Sequence, residues 1–109
     1  MEKGDIVLVP FPFTNLSGSK KRPALILACS KLDVTVCFIS TRLYWRENID
    51  LVLSPVSENG LKKESLVRTR KIASIDLNLI IGKLGSINTD QLKELDSNLI
   101  ELFDIKFKN

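Results

Sequence analysis

GDIVLVPFPFTNLSGSKKRPALIL, residues 4–27, decides how the chain is read. Its first apolar run, Ile6-Val7-Leu8-Val9, is short and β-branched, which marks a buried strand rather than a helix. Pro10 and Pro12 lack amide donors, so the strand ends there or becomes an edge. Asn15, Ser17, Gly18 and Ser19 form a polar loop. Lys20, Lys21 and Arg22 set cations at its downstream edge. Pro23 fixes the exit, and Ala24-Leu25-Ile26-Leu27 returns to the core. A loop that delivers cations onto a rigid strand suits capture of an anionic polymer. A solvated hairpin with an ordinary basic turn has the same composition.

At 109 residues and 44 % hydrophobic content, a single domain over 1–109 with one core is expected. A formal net charge of +3 permits a nucleic-acid partner without demanding one. No apolar run approaches the ~20 residues that span a bilayer. The start, MEKGDIVLV, lacks a cleavable signal pattern, so a cytoplasmic location is expected and no membrane partner. Cys29 and Cys37 sit in apolar strand patterns and are expected to be reduced, buried packing residues.

The sequence contains no histidine. That excludes Ser-His-Asp and Cys-His catalysis, histidine metal sites and the two-histidine style of RNA cleavage. Asp5, Asp33, Glu47 and Asp50 are scattered without a repeated spacing, which argues against a two-metal centre. No metal or other cofactor is expected. Any catalysis falls to arginine, lysine, carboxylate, hydroxyl or thiol groups.

Further strands are predicted over 34–40 (VTVCFIS), 49–53 (IDLVL), 65–69 (SLVRT) and 79–84, the last bent at Gly82. Residues 61–64 suit one helical turn, and 72–76 a short transition ending in Asp76 as a structural cap. Asn88 and Gln91 resemble a capping box. Leu92, Leu95, Leu99 and Leu102 then recur at helical spacing and give one apolar stripe. The tail after residue 105 is expected to fray. The pattern is mainly β with a C-terminal helix (α+β), a small, partly open barrel closed by that helix.

GDIVLVPFPF, SGSKKRPALIL, FIST and ESLVRTRKIASID, in this order and spacing, resemble the MazF/PemK family of toxin–antitoxin ribonucleases. The resemblance runs through the terminal helix. It implies an SH3-like barrel of the MazF/PemK/CcdB type in a homodimer. It further implies a sequence-selective, metal-independent endoribonuclease toxin that cuts single-stranded mRNA to a 2′,3′-cyclic phosphate. A cognate acidic antitoxin would neutralise it. Arg22 and a hydroxyl ending the third strand are the implied catalytic pair. Ser40 fits that hydroxyl by alignment, with Thr41 as the alternative, because the family pattern has threonine directly after isoleucine. The other class of function is a non-catalytic binding module on the same barrel, gripping RNA or a topoisomerase subunit.

The residues are suited to such chemistry. A guanidinium offers phosphate a planar fork, but its pKa above ~12 makes Arg22 a poor base. Ser19, Lys20 and Lys21 beside Arg22, then Arg42 with Arg46, then Arg68, Arg70 and Lys71, are the candidate RNA-binding groups. On a regular strand Arg68 and Arg70 share one face. Phe13, near the polar loop, is the better candidate for base stacking, with Tyr44 also available. Phe11 is expected to pack into the barrel and Trp45 into a subunit interface. Lys62 and Lys63 are expected to be solvated surface.

Overall fold

The computed structural model describes residues 1–11 and 20–107. Strands β1 (Asp5–Phe11), β2 (Lys20–Cys29), β3 (Asp33–Ser40), β4 (Leu51–Leu53), β5 (Ser65–Asp76) and β6 (Gly82–Ser86) form one sheet in the order β4-β5-β3-β2-β1-β6. All neighbours are antiparallel. Helix α1 (Thr89–Phe103) follows. Among the described residues no helix is long and apolar enough to cross a membrane.

Side chains alternate across the sheet, and both faces are apolar, which is why the strands read as nearly continuous apolar runs. Ile6, Leu25, Cys37, Ile39 and Val67 pack with Leu92, Leu95 and Leu99 of α1. Val7, Val9, Ala24, Ile26, Val34 and Val36 form the opposite cluster. Leu77, Leu79 and Ile80, in and after a 3-10 turn capped by Asp76, pack on that second cluster. The capping box of α1 is present: Gln91 N–H donates to Asn88 Oδ1 at 2.8 Å, and Asn88 N–H donates to Gln91 Oε1 at 2.9 Å.

Several expected boundaries move. β1 runs through Pro10 to Phe11, because its pairs with β6 end at Leu8 and the missing Pro10 donor faces no neighbour there. β6 starts at Gly82, not at residue 79, since Leu77–Leu79 turns as a 3-10 helix. Residues 61–64 make no helical turn. Cys29 is exposed at the end of β2, and only Cys37 is buried; both are free thiols.

Three register breaks curl the sheet, at Leu84 in β6, Leu27 in β2, and residues 69–71 in β5. The curl is completed by the loop 54–64 rather than by α1. Ser86 N–H donates to the Glu58 carbonyl at 2.8 Å, which ties this loop to the β6 edge. Asn59 is fully buried and staples the loop: its Oδ1 accepts from Val56 and Leu61 N–H, and its Nδ2 donates to the Ser54 carbonyl. The approach requires glycine on both sides. A Cβ on Gly60, itself at φ +68°, would overlap the Leu84 carbonyl, and one on Gly85 would overlap the Glu58 carbonyl.

β5 is a single strand of 12 residues, interrupted where Phe38 pairs with Arg68 but Cys37 with Ile72. The intervening Thr69, Arg70 and Lys71 have no β3 partner. Their backbone is held from the other side. Thr69 N–H donates to Asp50 Oδ1 at 3.1 Å, and Thr69 Oγ1 donates to the Ile49 carbonyl at 2.6 Å. The second Asp50 oxygen accepts Glu47 N–H at 2.9 Å. Ile49 and Asp50 therefore leave the ladder, and β4 is shorter than its sequence pattern. Cys37 Sγ lies 3.6 Å from the Thr69 carbonyl, within reach of a weak S–H bond. Burial, and secondarily the Asp50 charge, push its thiol up to about 12.

Two outcomes follow from this clamp. Asp50→Asn sets an amide donor against a backbone donor, so it should lower stability by about 1–3 kcal/mol. That would read as a lower denaturant midpoint with an unchanged slope; wild-type stability would show that the clamp does not hold the bulge. In native protein at pH 8, thiol reagents should modify exposed Cys29 promptly and Cys37 only on unfolding. Rapid loss of both thiols would contradict the packing.

Candidate functional site

The C-terminal ends of β1 and β3, the N-terminal end of β2 and the β5 bulge surround a cleft of about 580 Å³. Val9 and Phe38 are part of its apolar floor, and Arg22 pairs with Val9 across β1 and β2. The last β2–β3 pair is Ala24↔Phe38; Arg22 and Ser40 lie two residues beyond it, and both line the cleft. Pro23 holds the β2 backbone directly after Arg22, where β2 outlasts its pairing with β3. Thr41 follows the strand end and also lines the cleft.

Ser40 Oγ accepts the Arg42 N–H at 3.0 Å. This bond turns the chain at the strand end and leaves the serine proton to donate toward the cleft. Residues Leu43–Trp45 then form a 3-10 turn that delivers Trp45 into the wall. The guanidinium carbons of Arg42 and Arg68 each lie 4.9 Å from the Trp45 ring centroid, a cation–π arrangement that holds two like charges against one ring. Arg68 Nε is shut from solvent with no hydrogen-bond partner among the described residues. An incoming anion would give it an acceptor.

The bulge changes which cations meet. Arg68 and Lys71 line the cleft. Arg70 does not; it is exposed and pairs with Glu47 at 3.5 Å. The expected common face of Arg68 and Arg70 is therefore lost, because residues 69–71 leave the two-residue alternation. Lys20 and Lys21 are exposed on β2 opposite Phe11 and Pro10, outside the cleft wall. Phe13 and Ser19 lie outside the described residues, as does the rest of the loop between β1 and β2.

Phe11 is not packed into the barrel. It is 41 % exposed and meets Phe38 edge-on, at 6.1 Å and 88°, to form one wall of the cleft. Trp45 is likewise 41 % exposed and stands in the cleft wall. Tyr44 packs edge-on against it, with centroids 5.7 Å apart. Phe38 and Ser40, two residues apart on β3, both line the cleft. No sequence signal shows that Trp45 lies between Arg42 and Arg68, which are 26 positions apart.

Arg22, Arg42, Arg68 and Lys71 put four cations on this wall, and none of its described lining residues is acidic. Field lines from several cations over an apolar floor favour an anionic ligand with flat apolar parts. A single-stranded nucleic acid has both features.

The family model for PemK-like, MazF-like toxins of type II toxin–antitoxin systems matches residues 2–103. A comparison with curated protein sequences returns no match. Among solved structures, the Mycobacterium tuberculosis toxin MazF-mt6 superposes with a TM-score of 0.75 at 21 % identity, covering 94 % of this chain and 99 % of that one. A MazE–MazF complex from Deinococcus radiodurans gives 0.74 at 19 % identity, covering 97 % of both chains. A mycobacterial endoribonuclease in complex with its cognate antitoxin gives 0.74 at 12 % identity, covering 99 % of both. At these identities the structural likeness establishes the fold.

The site geometry has an optical test, because Trp45 is the only tryptophan. Arg68→Ala should move its emission to longer wavelength as the ring loses a cover. An unchanged spectrum would mean that the stack does not persist in solution.

Proposed function

Because this chain belongs to the PemK-like, MazF-like toxins of type II toxin–antitoxin systems, we propose that it is a metal-independent endoribonuclease that cuts single-stranded mRNA at selected sequences. The observation that carries this reading is that Arg22 and Ser40 line one cationic cleft.

The reaction transfers the phosphoryl bond within the RNA. The ribose 2′-oxygen attacks the adjacent phosphorus as its proton passes to water in the open cleft. The bond from phosphorus to the 5′-oxygen breaks, and that oxygen takes a proton from water in the open cleft. The products are a 2′,3′-cyclic phosphate and a 5′-hydroxyl end. Arg22 donates to the phosphoryl oxygens as charge builds and to the departing oxygen. Ser40 donates its proton to the same phosphate and fixes its orientation. Arg68, Arg42 and Lys71 hold flanking phosphates, while the half-exposed Phe11 offers a face to an unpaired base. Lys20 and Lys21, on the β2 rim, and Arg70 add longer-range attraction.

A cognate acidic antitoxin would inhibit this chemistry by placing carboxylates among the same cations. The antitoxin complexes of the structural relatives support that partner, and a homodimer is part of the same reading. A protein-gripping toxin is the second reading, favoured by the apolar end of α1, where Ile100 and Phe103 are exposed.

A long RNA and the matching single-stranded DNA, incubated in chelator, separate the two. Wild type should cut only the RNA, at a repeated short sequence. Arg22→Ala should lose about 10²-fold or more in rate while keeping its fold. Ser40→Ala should cost more than Thr41→Val. With no histidine in the chain, the pH–rate profile should show no inflection near ~6.5. Intact RNA with folded wild type would favour the protein-gripping reading.

A further inference from the structure

A second hollow, of about 350 Å³, adjoins the cleft. The two share Pro23, Thr41 and Ser65. Strand alternation explains the arrangement: Val9, Arg22 and Ser40 face the cleft, and their neighbours Leu8, Pro23 and Thr41 face the hollow. The hollows therefore sit back to back across the ends of β1, β2 and β3, with Thr41 on the ridge between them.

The hollow is built rather than incidental. Leu61, Lys62 and Lys63 come from the loop that Asn59 staples and Gly60 seats on β6. Ser65, on the wall common to both hollows, is buried and donates its hydroxyl to the Lys63 carbonyl at 2.8 Å. Leu84 is the extra residue of the β6 bulge, and this displacement leaves it 38 % exposed. The result is an apolar floor of Leu8, Leu61 and Leu84 with two ammonium groups, Lys62 and Lys63, at its rim. None of its described lining residues is acidic. A mostly apolar concavity with a few convergent polar groups is the usual form of a small-ligand site.

Resting on the ribonuclease reading, we propose that this hollow is a base subsite for the nucleotide adjoining the scissile phosphate. The base lies on Leu8, Leu61 and Leu84. The phosphate of that nucleotide meets Lys62 and Lys63, and the strand crosses Thr41 between the two hollows. Single-stranded RNA suits this path because its unstacked bases splay apart. Lys62 and Lys63 then belong to the substrate path rather than to an indifferent surface.

The test is an abasic scan. The probe is a labelled oligoribonucleotide carrying the mapped cut sequence, with a 2′-deoxy sugar at the cut. If the protein binds without cutting, the tightest-binding oligoribonucleotide replaces it. One nucleotide at a time is made abasic, and affinity is measured for wild type, Leu84→Ser and the pair Lys62→Ala/Lys63→Ala. One position adjoining the cut should cost wild type about tenfold or more and cost Leu84→Ser little. The lysine pair should weaken binding of all these RNAs and lower the log–log salt slope by about 0.7, for the one lost phosphate contact. Those lysines are exposed, so this arm stands even if Leu84→Ser folds poorly. Matching abasic profiles in wild type and folded Leu84→Ser, or an unchanged salt slope in the lysine pair, would overturn the subsite. RNA bound but not cut would sink the ribonuclease reading alone, since the scan still reports on the hollow. No RNA binding by wild type would sink both.

Discussion

Asp50 accepts backbone N–H groups from two segments that no ladder brings together, Thr69 in the β5 bulge and Glu47 before β4. A buried carboxylate is costly unless its lone pairs are filled, and here each oxygen has a donor. Thr69 adds a second tie through the Ile49 carbonyl. The consequence is geometric. With three residues looped out of register, Arg68 and Lys71 reach one cleft, and Arg70 turns away to Glu47. The same carboxylate anchors the end of the segment that carries Arg42 and Trp45. One buried side chain thus positions the two pieces of chain that face the Arg22–Ser40 pair.

The closure of the sheet obeys a different constraint. β4 and β6 are the ends of the strand order, and the loop 54–64 bridges them by backbone contact at Gly60 and Gly85. A paired strand at this seam would fill the space with a flat ladder. A loop held by one asparagine and two glycines leaves a concavity instead, beside the ends of β1, β2 and β3. The same device that completes the barrel therefore shapes the ground next to the cleft.

The cleft gathers four cations, with no carboxylate among its described lining residues, an arrangement of like charges that repel one another. Two features hold it. Arg42 and Arg68 share the Trp45 ring, and the β1 register with the following Pro23 holds the Arg22 backbone extended. Arg68 Nε is buried without an acceptor among the described residues. Such preorganised charge stabilises developing negative charge without reorganising at the moment of reaction. No histidine is available to this site, because the sequence holds none.

Local chemistry was legible without coordinates. β-branched runs, proline and glycine punctuation, the Asn88–Gln91 box and the leucine stripe determined the strands, the helix and its start, because each depends on residues a few positions apart. Tertiary structure decided what depends on distant partners. The β5 bulge rests on Asp50, 19 positions before Thr69, and it broke the face that Arg68 and Arg70 were expected to share. The exposure of Phe11 and Cys29, the position of Trp45 between two arginines, and the Lys62–Lys63 hollow all follow from strand ends and loop docking. A sequence pattern states which way a side chain alternates along its own strand; only the folded chain states what stands opposite it.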